Sequence, residues 1–145
     1  MATQSVFIGS IESFDKSRCD FETYMERFSE LCKINKTVIT KETKLSFFLT
    51  SIGAEAFITL KNLCTPDLPS AKSFDECVVL LKKYFNPKKL VVLERFKFSK
   101  REQKNSETIS DYNITELKRM ARTCDFGAFL NDALRDRFIS GLSSK

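Results

Sequence analysis

The chain has 145 residues, 42% hydrophobic and 30% charged, a balance that suits one soluble domain or two small lobes and excludes a collagen-like or low-complexity chain. No run approaches the roughly 18 to 20 apolar residues of a membrane-spanning helix, and the N terminus lacks a secretory signal or a myristoylation glycine, so we expect no membrane anchor. The net charge is +5, and the whole excess lies in residues 87–104, where seven basic residues oppose two acidic ones. Four glycines and three prolines are few for a many-stranded fold, so the composition favours helices.

Histidine is absent, which excludes Ser-His-Asp catalysis, Cys-His catalysis and any metal site built on imidazole. The five cysteines are scattered, odd in number and without a C-x-x-C pair, a pattern typical of reduced thiols in a cytosolic or nuclear protein. No paired carboxylates and no setting for an activated thiol can be recognised. We therefore predict that the chain is not an enzyme and needs no cofactor and no metal.

The first half of the chain predicts an arm followed by a helical lobe. Residues 1–16 show no helical periodicity and are expected to form an arm that is extended or loosely docked. The first helix follows, with Ser17 or Asp20 as its N-cap, because apolar residues then recur at helical spacing. Its predicted inward residues are Phe21, Tyr24, Met25, Phe28, Leu31 and Cys32.

Three further helices are predicted before residue 87. A second helix follows Thr40 and ends at Gly53, since Gly readily adopts the left-handed conformation that terminates helices. A third precedes the proline-containing loop 65–70, and a fourth begins at Ser73 with a capping box closed by Glu76. Their predicted inward residues are Leu45, Phe48, Leu49 and Ile52, then Phe57, Leu60, Leu63 and Cys64, then Cys77, Val78, Leu81, Tyr84 and Phe85.

Asn86-Pro87 ends the fourth helix, since the residue before a proline is pushed out of the helical conformation, and marks the predicted boundary between lobes 17–86 and 87–145. The second lobe is expected to open with a helix that buries Leu90, Val91, Leu93 and Phe96, although Phe96 and Phe98 alternate with Lys97 as a short strand would. A long helix from Ser106-Glu107 and a last helix capped by Asn131 or Asp132, after a break at Phe126-Gly127, complete it. Their predicted inward residues are Ile109, Tyr112, Leu117, Met120, Ala121 and Cys124, then Leu134, Phe138, Ile139 and Leu142.

The basic segment 87–104 is a candidate contact for RNA phosphates, which bind cationic side chains without regard to base sequence. The competing interpretation is a solvated helix face, which is what most charged runs form. The candidate contacts are Lys88, Lys89, Arg95, Lys97, Lys100, Arg101 and Lys104.

A motif in the second lobe carries the strongest signal in the sequence. Gln103, Glu107 four residues on and Tyr112 nine residues on have the spacing of the major homology region of retroviral and retrotransposon capsids. With Glu94-Arg95-Phe96 before the motif and the stretch 134–142 after it, the chain resembles the Gag capsid of gypsy-type long-terminal-repeat retrotransposons. The resemblance covers about residues 14–142.

The resemblance implies an all-α fold of two small helical lobes, a capsid N-terminal lobe and a capsid C-terminal lobe that contains a major-homology-like region at 98–117. With Ser106 as N-cap, we expect Glu107 in the first helical turn, Gln103 bridging backbone groups, and Tyr112 and Leu117 in the core. The chain departs from the retroviral pattern at Thr115, which stands where a basic residue is usual. Lys118 or Arg119 is the candidate substitute.

The resemblance also implies a structural protein that binds copies of itself in the cytoplasm and assembles into shells, or virus-like particles, that package RNA. Two alternatives stay open: a domesticated Gag-derived adaptor or dimerisation module that forms no shell, and an RNA-binding module that works through residues 87–104. Gag capsids of this kind usually continue past the Gly141-Leu142 pair with further helices and a zinc knuckle. The sequence is therefore expected to be a piece of a longer Gag, a domesticated form or a truncated one.

Overall fold

The computed structural model describes residues 6–86 and 90–143, and throughout those ranges every regular element is helical, which confirms the all-α class. The chain divides into two compact parts, Met1–Pro87 (unit 1) and Lys88–Lys145 (unit 2). Among the described residues, no helix combines the length and the apolar character needed to cross a membrane.

Residues 6–86 of unit 1 form four α-helices and a short 3-10 turn. The predicted inward face of the first helix is confirmed, since Phe21, Tyr24 and Phe28 are fully buried. Its N-cap is Asp20, whose carboxylate accepts a hydrogen bond from the Thr23 amide at 2.7 Å. The elements are α1 Phe21–Ile34, α2 Lys44–Ser51, α3 Gly53–Cys64, the turn Pro69–Ala71, and α4 Phe74–Phe85.

Local signals for α2 and α4 are confirmed. Gly53 has φ +86° and separates α2 from α3 without an intervening loop. The Ser73 hydroxyl accepts from the Glu76 amide at 3.1 Å and the Glu76 carboxylate accepts from the Ser73 amide at 3.2 Å, which completes the capping box. Two predicted inward residues are wrong: Tyr84 is mostly exposed and Leu63 lies at the surface, because Leu81 and Leu60 already occupy the buried centres of their helices.

The arm is docked more firmly than the sequence predicts. Phe14 is buried, and the centroid of its ring lies 4.8 Å from the centroid of the Phe85 ring. Its backbone N–H donates to the Ile52 carbonyl at 3.0 Å. The buried Asn35 side chain exchanges two hydrogen bonds of 2.7 Å with the backbone of Ile8. Because the arm supplies both an aromatic side chain and paired backbone groups, it forms part of the unit 1 core.

Unit 2 contains helical elements around a smaller core of Phe98, Tyr112, Leu117, Ala121 and Cys124. The Phe126-Gly127 break is confirmed, with Gly127 at φ +56°. The predicted capping by Asn131 or Asp132 is wrong, because the last helix begins at Leu130 and has no side-chain cap. The elements are α5 Val91–Lys100, the π-helical segment Asp111–Lys118, α6 Arg119–Ala121, the 3-10 turn Gly127–Phe129, and α7 Leu130–Gly141.

The predicted inward face of α5 is largely wrong, since Leu90, Leu93 and Phe96 are exposed while Phe98 is buried. Polar contacts explain this orientation. The Glu94 carboxylate accepts from the Thr123 hydroxyl at 3.1 Å, and Arg95 Nε donates to the Cys124 carbonyl at 2.6 Å. These two bonds place the 94–95 edge of α5 inward and turn the apolar side chains outward.

Two predicted inward residues of unit 2 are wrong, Ile109 in the long helix and Ile139 in the last helix, because both face solvent. Tyr112 and Leu117, both fully buried, are five residues apart, which suits the wider i to i+5 register of the π-helical segment. Leu134 and Phe138 of α7 are half-buried against the unit 2 core, as predicted.

Candidate functional site: the Gln103 to Tyr112 motif and the basic segment

Gln103 ties the loop after α5 to the end of α7. Its backbone N–H donates to the Gly141 carbonyl at 2.8 Å, and its side-chain oxygen accepts from the Ser143 backbone N–H at 3.0 Å. Its side-chain nitrogen donates to the Glu107 carbonyl at 3.0 Å. Gln103 therefore bridges backbone groups, as predicted, and does so across three separate parts of unit 2.

Glu107 is held by Arg101, which is one of the candidate RNA contacts. An Arg101 guanidinium nitrogen lies 2.5 Å from one Glu107 carboxylate oxygen, and the Lys104 amide donates to the other at 2.8 Å. The hydrogen bond from Arg101 lowers the pKa of Glu107 most, and the hydrogen bond from the Lys104 amide lowers it further. The hydrogen bond to Glu107 in turn raises the pKa of Arg101. Both side chains are only 14% exposed, so their mutual attraction is weakly screened.

Neither predicted substitute for the missing basic residue pairs directly with Glu107. Arg119 pairs with Glu116 at 3.0 Å, and Lys118 is exposed, whereas the cation beside Glu107 comes from Arg101. Arg101 also lies 3.6 Å from Glu116. The cation beside Glu107 therefore comes from the N-terminal side of the motif, while Arg119 of the following helical turn joins the network through Glu116, which also contacts Arg101.

The helix after the motif starts two residues later than predicted. Residues 109 and 110 are the first helical ones, and the Thr108 hydroxyl accepts from the Asp111 amide at 3.1 Å. Thr108 is therefore the N-cap and Ser106 is not. Glu107 precedes the helix, where it closes the loop with Arg101 instead of capping the first turn.

Tyr112 joins the motif to the core. Its hydroxyl lies 3.0 Å from the Arg101 carbonyl and 3.2 Å from the Arg137 carbonyl, and its ring stacks on Phe138 at 6.0 Å. A Cβ atom on Gly141 would lie 1.8 Å from that hydroxyl. Position 141 thus requires Gly for a close approach, a role that the spacing of the motif did not predict.

Arg137 is a second residue whose role the sequence did not indicate. Its guanidinium donates to the Ser99 carbonyl, which connects α7 to the end of α5. The only available signal was its place in the charged stretch 134–142, and charge alone does not distinguish an internal bond from a solvated side chain.

The basic segment divides into two groups. Arg95 and Arg101 have internal partners: Arg95 donates to the Cys124 and Asp125 carbonyls, and Arg101 pairs with Glu107. Lys97, Lys100 and Lys104 are exposed, although the Lys97 ammonium also lies 3.6 Å from the Glu94 carboxylate. Lys88 and Lys89 lie outside the described residues. The RNA contact stays a prediction, and the three exposed lysines are the residues best placed to make it.

The described ranges contain no cluster of three or more His, Cys, Asp or Glu side chains positioned to hold a metal ion. Burial raises the pKa of the Cys19, Cys32, Cys77 and Cys124 thiols, to about 11 for Cys77. These four cysteines therefore remain protonated at neutral pH.

Comparison with known protein families matches residues 7–133 to the family described as PNMA-like, C-terminal domain. The chain belongs to this family. PNMA-like C-terminal domains are a domesticated Gag-derived family, so the Gag-derived origin inferred from the motif is confirmed. The match includes unit 1 from residue 7 onward and the whole Gln103 to Tyr112 motif. Neither a curated protein nor a solved structure matches the chain.

Proposed function

We propose that this PNMA-like domain is a structural capsid protein of gypsy-type ancestry whose copies bind one another and assemble into RNA-containing shells. The observation that carries the proposal is the closed network of Arg101, Gln103, Glu107 and Tyr112 in a chain of Gag-derived family. That network has the spacing of the capsid major homology region and fixes the loop after α5 against α7. A fixed unit 2 surface is what repeated subunit contacts require.

Exposed apolar side chains support self-association. Burial of such side chains between copies would release water and stabilise the contact. Those of unit 2 include Val92, Leu93, Phe96, Ile109, Ile114, Phe129 and Ile139.

The test is to image the purified protein by negative-stain electron microscopy, with and without RNA, over a series of salt and protein concentrations. We expect discrete closed particles whose yield rises with protein concentration and with RNA. Light scattering on the same samples gives the particle mass. A mass that stays at one or two chains under every condition would contradict shell formation and favour the adaptor or dimerisation function.

RNA binding is the second candidate function, and the exposed Lys97, Lys100 and Lys104 favour it. Their ammonium groups can neutralise phosphates without base specificity, as packaging of an RNA strand requires. Shell formation and RNA binding are compatible, because packaging needs both.

We also propose that the domain has no catalytic activity and resides in the cytoplasm. The raised thiol pKa of Cys77 and the absence of His support the first proposal, since neither an activated thiolate nor an imidazole base is available. Five free cysteines support the second, because reduced thiols persist in that compartment. Fractionation of cells that express the chain tests the location.

A further inference from the structure

An apolar groove lies between the end of α3 and the outer side of α4 in unit 1. Its volume is about 510 Å³, and Leu63, Pro66, Val79 and Leu80 contribute its apolar lining. Val79 is 49% exposed and Leu63 is 37% exposed, so apolar surface is open to solvent here. A groove of this size accommodates several side chains from one face of a helix.

The rim of this groove is acidic. Asp67, Asp75 and Glu76 line it against a single cation, Lys72, which lies 3.7 Å from Asp67. Asp67, Asp75 and Glu76 are all exposed to solvent. A partner that fills the groove would therefore gain from apolar side chains followed by positive charge.

The outer face of α5 in unit 2 has this composition. Val92, Leu93 and Phe96 are exposed, Val92 at 78% and Phe96 at 58%. Lys97 and Lys100 follow one helical turn after Leu93 and Phe96, so they extend the same side of the helix. We call this set of five residues the α5 ridge.

We propose that the α5 ridge of a second copy of this chain docks in the α3–α4 groove. The inference rests on the proposed function and names one of its subunit contacts. The ridge supplies apolar side chains to the groove and two lysines to its acidic rim. Since the groove and the ridge belong to different units, every copy offers one of each, and the contact is heterologous. Such a contact can continue into rings or larger arrays, as a shell requires, whereas a two-fold symmetric contact ends at a dimer.

The experiment uses two variants of the full chain: Val79→Asp in the groove, and Leu93→Asp with Phe96→Asp in the ridge. Sedimentation velocity measures the association of each variant alone and of an equimolar mixture. We expect either variant alone to associate at least about tenfold more weakly than the wild type, because each lacks one half of the contact. In the mixture, the intact ridge of the first variant meets the intact groove of the second, so complexes of two copies form and grow no further.

Ile58→Asp is the matched control, because Ile58 is an exposed apolar residue of α3 that does not line the groove, and we expect it to leave association unchanged. Circular dichroism checks that every variant folds. If Val79→Asp unfolds, the charge exchange Asp75→Lys replaces it. That change should weaken association, and Lys97→Glu with Lys100→Glu in the same chain should restore it.

The outcomes separate this contact from the proposed function. Variants that associate as the wild type does, or a mixture that forms no pairs, would overturn the contact while shell formation stands. Pairing in the mixture together with a wild type that never forms shells would support the contact and contradict the proposed function. A wild type that is monomeric at every concentration would overturn both.

Discussion

Tyr112 and Gly141 meet so closely that any side chain added at position 141 would overlap the Tyr112 hydroxyl. The Tyr112 hydroxyl occupies the space that a Cβ atom at 141 would need, 1.8 Å away, and the Arg101 carbonyl lies 3.1 Å from the same point. No rotation of a flexible side chain relieves this overlap, because the Tyr112 ring is fully buried and the second neighbour is backbone. α7 must therefore move if a methyl group is added.

We predict that Gly141→Ala destabilises unit 2 by about 1–3 kcal/mol, the usual range for overpacking. Urea unfolding followed by hydrogen exchange in peptides from residues 98–143 measures the loss. Tyr112→Phe alone removes the one proton that the hydroxyl shares between the Arg101 and Arg137 carbonyls, a loss of about 0.5–1.5 kcal/mol. In the double variant the alanine penalty should shrink, since the hydroxyl is gone. Strict additivity of the two changes would contradict the proposed steric cause.

Glu107 gives a prediction about pH. The Arg101 hydrogen bond lowers the folded-state pKa of Glu107 from its ordinary value of 4.5, so the ionised carboxylate stabilises unit 2 above that pH. The stabilisation is lost as the pH falls through the lowered pKa. We expect the stability difference between the wild type and Glu107→Gln to be largest near neutral pH and to disappear in acid.

Urea midpoints across the acid range, read from hydrogen exchange in unit 2, test this prediction. Arg27 lowers the pKa of Glu12 to about 2, but this effect is the same in both proteins and cancels in the difference. A difference that stays constant down to the lowest pH would mean that ionisation of Glu107 contributes nothing.

At the scale of elements, the start of the helix after the motif depends on one hydroxyl. Thr108→Ala should destabilise unit 2 by about 0.5–2 kcal/mol, because the Asp111 amide loses its acceptor. Ser106→Ala is the matched control and should change stability by less than about 0.5 kcal/mol, as surface substitutions usually do. Thermal unfolding of both variants makes the comparison. A larger effect at Ser106 would place the N-cap where the sequence pattern had put it.

The arm gives a second prediction at this scale. Phe14→Ala should destabilise unit 1 by about 3–5 kcal/mol, since the ring is buried against Phe21, Tyr24 and Phe85. Phe7→Ala removes a more exposed ring of the same arm and should have a much smaller effect. Urea unfolding, with hydrogen exchange in α1 and α4 as the readout, measures both. A loss at Phe14 as small as the one expected at Phe7 would indicate that the arm is only loosely attached.

Several of these elements could be predicted from local spacing. The inward face of α1 and the Ser73 to Glu76 capping box depend on residues within a few positions of one another, and both predictions are confirmed. The orientation of α5 could not be predicted in this way. It depends on bonds from Glu94 and Arg95 to residues 123–125, about thirty positions away in the sequence.

At the scale of the whole molecule, the net charge of +5 is less available than the sequence suggests. Arg95 and Arg101 are committed to internal carbonyl and carboxylate partners. The exposed lysines of the basic segment therefore carry its capacity for RNA. Exchange of Arg101 would also disturb the Glu107 network, which makes it unsuitable for a test of binding.

We predict that the triple variant Lys97→Ala, Lys100→Ala, Lys104→Ala binds single-stranded RNA more weakly and with a shallower salt dependence. The slope of log affinity against log salt should fall by up to about 0.7 for each lost phosphate contact. Lys36→Ala, Lys41→Ala, Lys61→Ala is the matched control, because it removes the same charge from exposed positions in unit 1. Fluorescence anisotropy measures both slopes. Equal losses in the two variants would show that only net charge matters.

By itself, the sequence determined the helical class, the Gag-derived origin and the motif residues Gln103, Glu107, Tyr112 and Leu117. The class follows from composition and helical periodicity, whereas the origin and the motif residues follow from the resemblance to Gag capsids, and short stretches of chain carry both signals. Only the tertiary structure decided that Arg101 pairs with Glu107, that Thr108 caps the helix, and that Gly141 makes room for Tyr112. The physical reason is that charge pairing and close packing depend on distances between segments far apart in the sequence, which composition and local spacing do not specify.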